Sequence, residues 1–209
     1  MAEIGKLLRR DWKYLVILFL VFVVFIVVGY YLSQINAAAA RYLTKETVAK
    51  FSHLIQEMKG KAVIFQIGVI FWNNLQAAFM AVLTGIMILP FLVPVFPVTM
   101  LAGNGLVIGL VLRLSQSKSG LPVSQFVFGL LPHGVFELPA FIVAVMLGIR
   151  LGFLPHRLLW HYYKTKEYRP FFRDYFRELR YYGALVLLLL IMAAVLEITV
   201  SGAMVKGLS

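Results

Sequence analysis

Residues 15–32 read LVILFLVFVVFIVVGYYL, an uninterrupted apolar run without a single charge. A helix crossing a bilayer needs about 20 predominantly apolar residues, because lipid offers no partner to an unpaired backbone amide. The run is longer than the 7–15 residues usual in the core of a secretory signal. It therefore reads as a spanning helix, despite the basic Lys6, Arg9, Arg10 and Lys13 before it and the small residues 37–40 after it.

The rest of the chain repeats this pattern. Of 209 residues, 61% are hydrophobic and 14% charged, with a mean hydropathy of +0.87. A soluble domain has about 45–50% apolar and about 25% charged residues. This chain has too little polar surface to cover itself in water. Apolar stretches at 15–33, 62–89, 98–112, 123–151 and 182–200 predict about five transmembrane helices. The expected fold is an all-α polytopic membrane helix bundle in one domain, with no strand alternation of the barrel type. Prolines 90, 94 and 97 break helix before the third span, and prolines 132 and 139 predict a kinked fourth.

The formal charge of +11 would suggest nucleic acid in a soluble protein, but no nucleic-acid motif accompanies it. Basic loops beside anionic lipid explain it instead. An internal amino terminus puts twelve Lys and Arg inside and eight outside, so the plasma-membrane orientation predicted is N-terminus cytoplasmic, C-terminus external. The absence of cysteine excludes disulfides and thiolate chemistry. Phe51, Leu54, Ile55 and Met58 recur at helical spacing and predict an amphipathic outer helix. The inner segment 156–182 interleaves aromatics with arginines, predicting a membrane-hugging helix or a docking surface for a partner.

Ionisable groups within spans are costly, so each raises a question of function. His133 and Glu137, in LLPHGVFELPA (130–140), are four apart and share a helix face. Three readings stand: a mutual hydrogen bond locking the kink, a divalent metal site of the Zn²⁺ type, or a proton or solute relay. A metal needs further ligands, with Glu197, an Asn or a second subunit as candidates. Asn73, Asn74 and Asn104 are packing amides or line the same polar cavity. Gly105-xxx-Gly109 and Gly148-xxx-Gly152 allow close helix approach, within the chain or in a homodimer. No HExxH, H-x-x-E-H or G-x-S-x-G motif supports hydrolysis.

Three segments in order, IFWNNLQAAFMAVLTGI (70–86), LAGNGLVIGL (101–110) and LLPHGVFELPAFIVAVMLGIRLG (130–152), resemble the stage II sporulation protein M family of integral membrane proteins. The resemblance implies about five spans and a scaffold or anchor in a complex that remodels the cell envelope during engulfment, with envelope or sporulation proteins as partners. It covers His133, Gly134, Glu137, Pro139, Asn74 and Asn104 without assigning them chemistry. The leading expectation is thus a non-enzymatic envelope component. The alternative is a metal-dependent membrane enzyme or small-solute transporter centred on His133 and Glu137.

Overall fold

The computed structural model describes residues 2–85, 95–119, 122, 134–167 and 169–207. These residues are helical apart from short turns, and no strand occurs among them. The helices are α1 (Ala2–Ile35), α2 (Ala37–Met58), α3 (Val63–Leu83), α4 (Val95–Ser119), α5 (Glu137–Gly152), α6 (Leu154–Thr165) and α7 (Arg169–Gly207). Within α1, α3, α4 and α7 are stretches long and apolar enough to cross a membrane. The pair α5 and α6, bent by 51° at Phe153, brings the number to five if it counts as one span.

Local chemistry explains the breaks. Asn36 leaves helical geometry (φ −142°, ψ 86°), and its side chain accepts a hydrogen bond from the Ala39 amide at 2.9 Å, capping α2. Gly60, at φ +73°, turns the chain out of α2 toward α3, a left-handed conformation that costs glycine little. Helix α4 starts at Val95, earlier than the prolines suggest. Pro97 lies in its first turn, where the missing amide hydrogen would have no intrahelical acceptor.

For the same reason Pro139 sits in the first turn of α5 and begins a helix there. Pro132 and His133 lie outside the described residues, and the bend that is described falls at Phe153. The amphipathic stretch after the first span is helical as expected, although Ile55 is 62% exposed. The inner segment is helical as expected, but divided: it comprises the separate helix α6 and an amino-terminal extension of the last span, so that α7 runs unbroken from Arg169.

Helix α5 is the centre of the bundle. Residues 142–148 are buried on every side, as expected of a helix that is apolar all round, and α5 touches α1, α3, α4 and α7. Along α1 the buried positions are Asp11, Leu18, Phe22, Gly29 and Ser33, a single seam, while Ile17, Leu20, Val24 and Val27 face outward. That seam meets α4, its most extensive partner. Glycines allow the approach. A Cβ on Gly109 would collide with the Ile26 carbonyl, one on Gly105 would lie 2.5 Å from the Phe22 carbonyl, and one on Gly29 would collide with the Leu106 carbonyl. Gly148 packs in the same way against Ala81. Gly105, Gly109 and Gly148 therefore have partners within the chain.

Candidate functional site

The sequence-derived residues distribute unevenly. Asn74 lies midway along α3 and Glu137 opens α5. The Asn74 amide donates to Glu137 Oε1, and Asn73 Nδ2 donates to Asn74 Oδ1 at 3.4 Å. All three side chains are half-buried. The result is a short relay of amides ending on a carboxylate at the α3–α5 contact. It ties the start of the central helix to its neighbour, as interhelical polar pairs do in membranes. Asn104 faces outward from α4 and makes no side-chain hydrogen bond among the described residues. Glu197 is half-buried on α7. Among the described residues no group of three or more His, Cys, Asp or Glu side chains could hold a metal ion.

A second polar centre was not apparent from the sequence. Asp11 on α1 is 2% exposed, accepts three hydrogen bonds and is ion-paired with Arg150. Arg10 donates Nε at 3.1 Å and Nη2 at 3.0 Å, Tyr182 on α7 donates its hydroxyl at 2.5 Å, and Arg150 Nη2 on α5 lies 2.5 Å from Oδ1 as an ion pair. Glu178, one turn before Tyr182, accepts from Arg10 at 2.6 and 2.8 Å and from Arg150 at 3.3 Å. The Arg150 guanidinium also lies 5.7 Å from the centre of the Tyr182 ring.

Two carboxylates and two guanidinium groups thus close a ring across α1, α5 and α7. Three hydrogen bonds and the Arg150 ion pair together compensate the buried Asp11 carboxylate. Burying a charge costs several kcal/mol in effect, and such groups persist only with pairing of this quality.

The sequence offered a partial signal. Asp11 and Glu178 are acids set among arginines at the edges of apolar runs. Read locally, each looks like a solvated headgroup-level charge. Their partners lie 168 and 171 residues away, which no spacing rule connects. The same ring places the amino-terminal end of α1, the carboxyl-terminal end of α5 and the first third of α7 at one end of the bundle.

The family model described as "Stage II sporulation protein M" matches residues 17–202. The match takes in Asn74, Glu137, Arg150, Glu178 and Tyr182 and begins after Arg10 and Asp11. No curated protein and no solved structure matches the chain significantly.

Proposed function

Because this chain belongs to the stage II sporulation protein M family, we propose that it acts as a membrane scaffold for a cell-envelope remodelling assembly rather than as the enzyme that cuts the envelope polymer. The observation that carries this reading is the contrast between a clamped end of the bundle and the helix beside it. The Asp11–Arg150–Glu178 ring makes a rigid platform from three helices. Helix α6 has no buried residue and exposes Leu159, Trp160 and Tyr163 at 65–75%. A rigid base with an exposed aromatic and basic helix is suited to holding a partner at the membrane surface. Exposed Trp and Tyr are the residue types that dominate association energetics.

In this proposal the amino terminus and α6 lie on the cytoplasmic side, and the assembly is the kind that acts during engulfment. The test is gene deletion with complementation. Loss of the protein should disturb envelope morphology or engulfment, and wild-type protein should restore it. A Leu159→Ser, Trp160→Ser, Tyr163→Ser triple variant should reach the membrane but fail to complement. A deletion without phenotype, or full rescue by the triple variant, would overturn the scaffold reading.

A metal-centred enzyme or transporter built on His133 and Glu137 is the second proposal. The Asn73–Asn74–Glu137 relay supports it by putting a polar path beside the central helix.

A further inference from the structure

Between α6 and the first third of α7 lies a cavity of about 250 Å³, separate from the Asn74–Glu137 contact. Its polar lining is Arg150, Arg157, His161, Asp174, Tyr175 and Glu178. The carboxylates there are already engaged. Glu178 accepts from Arg10 and Arg150, and Asp174 Oδ1 lies 3.5 Å from Arg177 Nη2. Arg150 divides its donors between Asp11 and Glu178.

Two lining groups are left over. The Arg157 guanidinium, exposed at the rim, makes no ion pair among the described residues. Nε2 of His161 is buried and meets no hydrogen-bond partner among them. The two residues are four apart on α6 and so share a face. The Phe171 ring lies 5.4 Å from the imidazole and stacks on Tyr175 at 6.4 Å, which holds the imidazole in place.

We infer that this cavity binds a phosphoryl group, and that the headgroup phosphate of an anionic phospholipid is its natural occupant. The available donors decide the sign of the ligand. A cation would meet carboxylates already neutralised and an arginine without a partner. A phosphate would receive the guanidinium fork of Arg157 and an imidazole N–H from His161, the charge-assisted geometry that suits phosphate best. It would also give a partner to the buried Nε2 of His161.

Position favours the lipid over the free ion. Leu159 and Tyr163 lie on the other side of α6 from Arg157 and His161, with Trp160 between the two sides, and the three are 68%, 75% and 65% exposed. Lys164 stands 4.9 Å from the centre of the Trp160 ring. Helix α6, basic and aromatic, lies at the membrane surface where the proposed function puts it, which sets the cavity mouth near phosphate depth.

The experiment uses full-length protein, stripped of lipid in neutral detergent. It is incubated with phosphatidylglycerol or phosphatidylcholine, and retained lipid is counted by native mass spectrometry. Wild-type protein should retain one phosphatidylglycerol in preference to phosphatidylcholine. Arg157→Ala and His161→Ala should each weaken that retention about tenfold, the factor expected for one charge-assisted hydrogen bond. Arg157→Lys, which keeps the charge and loses the fork, should fall between. Arg180→Ala, an exposed arginine outside the cavity lining, should change nothing.

Inorganic phosphate titrated by calorimetry separates the two sources. Phosphate binding that depends on Arg157, without preference between the lipids, would keep the phosphoryl site and overturn the lipid assignment. Equal retention of both lipids without phosphate binding would overturn the inference entirely. So would an Arg180→Ala effect as large as that of Arg157→Ala.

Discussion

Asp11 on α1 and Tyr182 on α7 are joined by a hydrogen bond of 2.5 Å across 171 residues of sequence, with the phenol donating. Asp11 is 2% exposed and Tyr182 is 1% exposed. The first and last long helices are therefore fastened by a fully buried contact at one end, with Arg150 of the central helix reaching into the same carboxylate. A charge this deep acts as a lock. It is stable only while every partner stays in place.

The lock should be visible in unfolding. Asp11→Ala leaves the Arg150 guanidinium short of a partner and should cost about 3–5 kcal/mol, the usual penalty for breaking a buried pair. Tyr182→Phe removes one hydrogen bond to a charge and should cost about 1.5–3 kcal/mol. In a double-mutant cycle, Asp11→Ala with Arg150→Met should destabilise by clearly less than the sum of the two singles. The readout is reversible unfolding in mixed micelles. Strictly additive singles would mean that the ring does not act as a unit.

Glycines at the α1–α4 contact should tolerate nothing larger. Helices in lipid gain little from hydrophobicity when they associate, so close packing carries the interface. Gly109→Leu forces α1 and α4 apart and should lower thermal stability by about 1–3 kcal/mol or more. A Cβ at Gly103, on the same helix, would meet nothing within 4 Å. Gly103→Ala should therefore stay within about 0.5 kcal/mol of wild type. Equal losses at both positions would contradict the assigned face.

The Asn74–Glu137 contact separates the scaffold from the metal-centred proposal. Elemental analysis of protein purified without chelator, then supplied with zinc, should find well below one zinc per chain. Asn74→Ala should cost about 1 kcal/mol of stability, as interhelical hydrogen bonds in membranes do. Near-stoichiometric zinc, lost in both His133→Ala and Glu137→Ala variants of intact fold, would replace this reading with a metal centre.

Orientation can be read chemically, since the chain has no cysteine of its own. Single Lys45→Cys and Lys164→Cys variants in intact cells should differ toward a membrane-impermeant maleimide. Lys45→Cys should label and Lys164→Cys should label only after lysis. The reverse pattern would invert the proposed topology.

Part of this architecture could be read directly from residues. The run at 15–32 sits within a single helix, and the last span likewise lies within α7. Helix in lipid is a local consequence of composition, because each backbone group must find its partner within the segment. Glu137 and Asn74 were identifiable as costly polar residues in apolar surroundings, and they do meet. Asn104 stood out for the same reason, yet it faces away from the bundle. Polarity shows that a residue needs an explanation and leaves open which way its side chain points. The extension of α7 back to Arg169 was hidden because arginines and aromatics there look the same in a separate helix lying on the membrane and in one continuous with a span.

The ring around Asp11 lay beyond reach of the sequence for a related reason. Every position from 15 to 28 on α1 is apolar, so no periodicity marks the seam through Leu18 and Phe22. Lipid and protein interior are equally apolar solvents, and residues facing either one are drawn from the same set. Composition alone thus determined that the chain enters a membrane as helices. Only the tertiary structure decided which faces meet, that α5 is the centre, and that Asp11, Arg150, Glu178 and Tyr182 belong to one site. Those choices depend on small residues and buried charges brought together from distant parts of the chain, in the widest case 171 residues apart. No local preference encodes such distances.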